Sequence, residues 1–467
     1  SDHDYPEGAY GVMSWWDYGH WITTRAERIP NANPFQQGAT SAAEYLLAPS
    51  EDEAEEALRE IDDDGEAEEM RYVMVDWQMV TPGSKFGAPV VFDDDTNSSD
   101  YYEPTLRAQE TQQGTQYGVA FQDKKQRYYE SQMVRLYMYH GSRADPSVQT
   151  PFGDRVIVFD YDTVSAEDGT SYKVLPQGEN ESAIRTFANE SAAQEFVEED
   201  GTAQIGGVGA FPRESVPAME HYRLVSTSDT SAYSSSQYQR TVLQESQSLG
   251  LRPSLLQQTQ PQWVKTFEKV PGATVEGDGA DPNETVTATV EMEVPEGGTG
   301  GNASTFTYEQ QATANEDGEF EFTVPYSTTD YDDYGPENGY TNVSVRATGA
   351  YTVTGEVESN ESAYIVRNQG TFNVSEGAVN GDTDETVSVT LEEEVLRAPE
   401  GAQNGSETNN TTDESDNTSS LPAEFDSLDG LDSAGGDSTT DGSLAGDEAT
   451  GEAAPSLYAP TRRTVAP

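Results

Sequence analysis

No cysteine occurs anywhere in the 467 residues, which removes both a disulfide framework and thiolate metal ligation. Histidine is scarce. His3, His20, His140 and His221 show no ligand spacing such as His-X-X-X-His, so no metal site is read in this chain. Apolar runs are short: Val156-Ile157-Val158-Phe159 is typical, far below the roughly 18 residues that span a bilayer. Basic residues number 25 against 85 acidic ones, only six of them lysines, for a net charge of −60. Such a chain repels phosphate, which argues against nucleic acid and anionic lipid as partners. It would also repel itself, except that at about 1 M salt the Debye length falls to roughly 3 Å. The composition therefore reads as adaptation to a salt-rich milieu. Aromatic residues at 10% and clear periodic segments weigh against a wholly disordered acidic chain. Nothing like a signal peptide opens the sequence at Ser1, and we expect a C-terminal portion of a longer protein.

What is present divides into segments. At this length two or more domains are expected. Residues 1–240 alternate strand and helix signals and predict a mixed α/β domain. Gly11-Val12-Met13 reads as a short strand and Ser41 to Leu47 as a short helix. Ser50 with Glu53 forms a capping box for a second helix, whose apolar stripe is Ala54, Ala57, Leu58 and Ile61. Tyr72 to Asp76 reads as a buried strand. Lys124 to His140 predicts one long helix, with Tyr129, Met133, Leu136, Tyr137 and His140 on one face and Gly141 at its end. Val156–Asp160 and Tyr172–Leu175 read as strands, and Ser191 with Gln194 as a helix cap, that helix stopping at Gly201. Ser- and Gln-rich residues 226–260 suggest a linker, placed at 241–261. From Gln262 the period becomes two, as in Thr285–Val290, Phe320–Val324, Tyr351–Thr354 and Val387–Thr390, and Asn342–Tyr351 is strand-like. Residues 262–400 therefore predict an antiparallel β-sandwich accessory domain, weakly similar to transthyretin-like modules. Residues 401–467 have little to bury and predict a disordered acidic tail.

Trp15-Trp16-Asp17-Tyr18-Gly19 carries the most chemistry, placed where the first strand ends. An indole only donates hydrogen bonds and an ionised Asp only accepts, while a hydroxyl has one donor and two acceptor positions. Asp17 can take the hydroxyl proton of a Ser or Thr while Trp15 and Trp16 donate to its oxygen. Such a pocket rejects a ligand lacking the hydroxyl by roughly 10⁴ or more. The plainer reading is an aromatic knot in a core, with Asp17 capping a turn.

The string itself resembles the hallmark of the catalytic subunit of oligosaccharyltransferases, the enzymes of N-linked glycosylation. Tyr10–Ser14, His20–Thr23, Arg28–Asn33, Arg71–Trp77, Val216–Val225 and Trp263–Ala273 are similar to archaeal single-subunit members, so that the resemblance covers roughly residues 1–400. It implies the soluble C-terminal domain of such an enzyme, in which Trp15, Trp16, Asp17, Tyr18 and Gly19 bind the acceptor peptide through its Ser/Thr, Tyr18 and Gly19 shaping the turn. The family's second motif, Asp-X-X-Lys-X-X-X-Met/Ile, has its nearest counterpart in Gln126-X-X-Tyr129-X-X-X-Met133, without the Asp and Lys; Met133 is then a candidate contact for a Thr methyl, or a core residue.

The same resemblance implies partners: sequon-bearing polypeptides, and a dolichyl-phosphate-linked oligosaccharide held by an upstream membrane domain. That domain would carry the catalytic carboxylates and a Mn or Mg ion, leaving no catalytic residue and no bound cofactor in this chain, which alone would be inactive. The full protein would sit in the cell membrane with this domain on the extracellular face. The chain's own Asn-X-Ser/Thr triplets, at Asn97, Asn180, Asn189, Asn283, Asn302, Asn342, Asn360, Asn373, Asn404, Asn409, Asn410 and Asn417, agree weakly with that face. The alternative is a non-catalytic extracellular glycan-binding or surface-layer protein.

Overall fold

The structure is a computed structural model that describes residue 5 and residues 9–63, 70–150, 153–166, 168–177, 182–253, 256, 261–295, 304–359, 364–383 and 386–397. The chain separates into a compact unit, Ser1–Gln403, and a second one, Asn404–Pro467. The expected acidic tail, 401–467, lies outside the described residues, as do the triplets at Asn180, Asn302, Asn360, Asn404, Asn409, Asn410 and Asn417.

A five-stranded sheet organises the first part of the unit, in the order Tyr222–Thr227, Val264–Lys269, Met70–Asp76, Gly11–Ser14, Ile29–Pro30. Gly11–Ser14 runs parallel to both of its neighbours, and all four of its residues are buried, the pattern of a strand covered on both faces. The helices Ala39–Leu47 and Glu51–Asp63 follow, the second capped as its sequence suggests, Ser50 Oγ accepting the Glu53 N–H at 3.2 Å. The third helix of this kind, Glu190–Asp200, is capped not by Ser191 but by Asn189, whose side chain accepts the Ala192 N–H at 2.9 Å; it stops at Gly201, φ 74°.

The single helix expected over Lys124–His140 is two, Gln126–Glu130 and Gln132–Tyr139. Ser131 between them is extended (ψ 136°). A tertiary bond replaces the helical one there, because the Gln132 N–H donates to Ala48 O at 2.9 Å. Lys124 itself ends a strand, the second arm of a hairpin formed by Tyr102–Thr111 and Gly114–Lys124.

The linker expected at 241–261 contains most of a 14-residue helix, Ser236–Leu249, packed on the Gly114–Lys124 strand through contacts such as Gln244 Nε2 to Ala120 O, 2.8 Å. The boundary at 262 also moves. Val264–Lys269 pairs with Met70–Asp76 and Tyr222–Thr227, so it belongs to the first sheet.

The β-rich part begins at Ala273. A three-stranded sheet, ordered Phe320–Val324, Ala273–Asp278, Val387–Thr390, accompanies a seven-stranded one built around the Thr285–Val294 and Ser304–Thr313 hairpin. Burial alternates along these strands, and Val275, Phe322, Val290, Tyr308 and Val353 enter one core. Pairing is antiparallel except between Ala273–Asp278 and Val387–Thr390, which run parallel. Within Asn342–Tyr351 only Arg346–Ala347 is strand before Tyr351. The whole is mixed α/β with several sheets, mostly strands and few helices.

Candidate functional site

Two adjacent parallel strands, Gly11–Ser14 and Met70–Asp76, end side by side, and such strand ends commonly carry sites. Trp15 is extended (φ −66°, ψ 147°); Trp16–Tyr18 then makes a tight turn, closed by the Tyr18 N–H on Trp15 O at 3.1 Å. The chain continues into helical turns that end at Glu27, in the left-handed region at φ 55°. Gly19 is required by clearance: a Cβ there would lie 2.2 Å from Ala32 O. The turn is thereby pressed onto the backbone of 32–33.

The five side chains separate in role. Trp15 is buried, edge-on to Phe92 at 5.5 Å, and Trp16 is half-buried beside it. Among the described residues nothing accepts either indole N–H. Asp17 Oδ2 lies 2.5 Å from Lys85 Nζ, which also reaches Asp76 Oδ2 at 3.0 Å. Tyr18 donates its hydroxyl to the same Asp76 oxygen at 2.7 Å. Asp76 Oδ1 takes the N–H groups of Gln78 and Met79 at 2.7 and 2.9 Å. Asp76 is thus saturated, while Asp17 Oδ1 meets no donor among the described residues. Burial pushes the Tyr18 hydroxyl well above its ordinary range, and Asp76 adds to the rise. Burial pulls Lys85 down, but Asp76 and Asp17 outweigh it and the ammonium is held above its ordinary value.

Chemically, this is a carboxylate steered by an ammonium, with one acceptor oxygen uncommitted and two indole donors close by. Tyr18 and Gly19 build the turn, as expected. Met133 is wholly buried in the Gln132–Tyr139 helix, which packs on the Met70–Asp76 strand, so it is an interior residue here and presents no surface to a methyl group. The Asp and Lys absent from 126–133 are supplied to the motif by Asp76 and Lys85 instead. The sequence held two signals for them: an Asp closing a buried strand, and a lysine that stands alone before Lys124 in a lysine-poor chain.

His20 is exposed and His140 buried. No group of three or more His, Asp or Glu that could hold a metal occurs among the described residues, so the implied divalent ion has no ligand set there. No described helix is long and apolar enough to cross a membrane.

Two family models match the chain: the AglB core domain over residues 2–80, and the archaeal glycosylation protein B long peripheral domain over 272–399. The dolichyl-monophosphooligosaccharide–protein glycotransferase AglB of Haloferax volcanii is 54% identical over 395 residues, 84% of this chain and 36% of that protein. A dolichyl-phosphooligosaccharide–protein glycotransferase of Archaeoglobus fulgidus is 35% identical over 115 residues, 22% of this chain and 12% of its own length. The chain spans about a third of the length of the Haloferax relative and less of the other. Among solved structures, the A. fulgidus oligosaccharyltransferase tethered with an acceptor peptide containing the NVT sequon aligns at TM-score 0.48 and 19% identity, over 83% of this chain and 39% of that one.

Proposed function

The chain belongs to the AglB-type archaeal oligosaccharyltransferases, and from that premise we propose that it is the sequon-reading portion of such an enzyme. The full-length protein would transfer a dolichyl-phosphate-linked oligosaccharide to the Asn of Asn-X-Ser/Thr, from the outer face of the cell membrane. In this reading Asp17 accepts the Ser/Thr hydroxyl proton, and Trp15 and Trp16 donate to the hydroxyl oxygen. The observation that carries it is Asp17 itself, with one oxygen held by Lys85 and the other without a donor among the described residues. A hydroxyl supplies the missing donor, and the paired lysine keeps the carboxylate ionised and aimed.

Fixing the residue two positions beyond the Asn orients the amide toward the carrier's reactive carbon, an effect of placement rather than bond making. A divalent ion, where the enzyme binds one, supplies charge stabilisation for the departing phosphate. This portion alone transfers no glycan. The test is transfer to Asn-X-Thr and Asn-X-Ala peptides by full-length protein in native membranes, with and without Asp17→Ala. Loss of transfer at unchanged protein level is expected; undiminished transfer to the Thr peptide would overturn the assignment.

A further inference from the structure

At the other end of the central sheet a cleft of about 580 Å³ opens between the start of the Glu51–Asp63 helix, the 217–221 segment and Lys269–Pro271. It is remote from Asp17: the motif lies level with Asp76 and its partner Val264, whereas Lys269 ends the same strand five residues on. Its volume falls in the range of small-molecule sites.

The ionised groups in its wall are unequally satisfied. Glu51 accepts the N–H groups of Glu220 and His221, each at 2.8 Å. Glu55 is held by Lys269 at 2.5 Å and by the Tyr222 hydroxyl at 2.9 Å. Glu220 Oε1 takes a bond from Gln310 at 3.3 Å. Arg135 differs. It is 3% exposed, and its Nη2 donates to Pro217 O and Ala218 O at 3.2 and 3.4 Å, but Nε and Nη1 have no acceptor among the described residues. Burial alone lowers the guanidinium's affinity for its proton, with Glu51 too distant to compensate fully. A buried cation short of acceptors is costly, and here it stands in a chain of net charge −60. The helix start adds to the imbalance: Ser50 Oγ serves the Glu53 N–H, and the first N–H groups of a helix have no intrahelical acceptors.

We propose that this cleft is a binding site for the oxyanion group of a small organic molecule, a phosphate ester or a carboxylate, with Arg135 as its main contact and Lys269 and the Glu51–Asp63 helix start beside it. Two donors of one guanidinium suit a bidentate oxyanion, and the remaining space accommodates the body that carries it.

The test is calorimetric titration of the purified chain at constant molar KCl, using inorganic phosphate, glycerol 3-phosphate and acetate as separate probes. Saturable binding is expected, at least tenfold weaker in Arg135→Lys, which keeps the charge but not the fork, and severalfold weaker in Lys269→Gln, whose position is exposed enough to leave folding intact. Glycerol 3-phosphate or phosphate binding best would assign a phosphate ester, acetate binding best a carboxylate. Heat indistinguishable from that of added chloride, or affinities unchanged in both variants, would overturn the proposal and leave water as the occupant of the Arg135 donors.

Discussion

Asp17 and Glu268 are both carboxylates shared with cations of the central sheet, and they differ in what is left over. Glu268 is 1% exposed and both of its oxygens are occupied: Oε1 by Arg71 at 3.0 Å and by Thr341, Oε2 by Arg223 at 2.8 and 3.1 Å. Arg223 goes on to Glu376 at 2.8 Å, so the cluster ties the central sheet to the β-rich part. Burial pulls Arg223 down, but Glu268 and Glu376 more than reverse it. Asp17, with its side chain 30% exposed, has one oxygen paired and one without a donor among the described residues. A saturated interior carboxylate holds the fold; an incompletely satisfied one at a strand end is available to a ligand. The Val264–Lys269 strand offers a third case in Lys265, buried with no carboxylate partner and lowered by burial to about 7.

The largest effect should come from Glu268→Ala, which strips the main acceptor from a buried arginine and costs about 3–5 kcal/mol. Denaturant unfolding in molar KCl measures it, and a near-wild-type midpoint would dissolve the distinction between the two clusters. Asp17→Ala should do the reverse, leaving the midpoint within about 0.5 kcal/mol while transfer by the full-length protein falls about a hundredfold, the worth of one charge-assisted hydrogen bond of roughly 1.5–3 kcal/mol.

Lys265 sharpens the comparison through pH. Its folded value near 7 lies below the unfolded value of about 10.4, so between them the unfolded chain binds more protons and stability rises with pH. In Lys265→Met that rise should vanish, as equilibrium unfolding at stepped pH would show. Lys85 should give the smallest signal, with the opposite sign. Its raised folded value means a contribution present below about 10.4 and lost as pH rises through the folded value. Tyr18, also raised, falls in the same direction above about 10. Lys85→Gln should flatten the alkaline decline; an unaltered decline would mean that the ammonium contributes nothing to folding.

Local features were legible in the sequence. The Ser50 cap, the stop at Gly201, the strand leading into Trp15 and the alternation of Thr285–Val294 all follow from neighbours within a few residues. Features set by distant partners were not. The Tyr102–Lys124 hairpin is largely solvent-facing on both sides, so it shows no period of two. Ser131 breaks its helix because Ala48 supplies an acceptor from another helix, which no pattern around residue 131 encodes. Val264–Lys269 finds its register against a strand about 190 residues earlier, Lys265 opposite Val75. Asp76 and Lys85 reach Asp17 only because two strands run parallel; before that pairing is known they are an acidic residue and a lysine far along the chain.

Gly19 adds a caution for reading mutational scans of this segment. Its α-carbon hydrogen sits where any side chain would strike the Ala32 carbonyl, yet glycine offers a ligand no functional group. Replacement by alanine would push apart two stretches of main chain and swing Trp16 and Asp17 out of alignment together. Position 19 would then score as intolerant as Asp17 in an activity screen. Its intolerance would report a distance between backbones, and only a readout of where Asp17 points could separate the two kinds of loss.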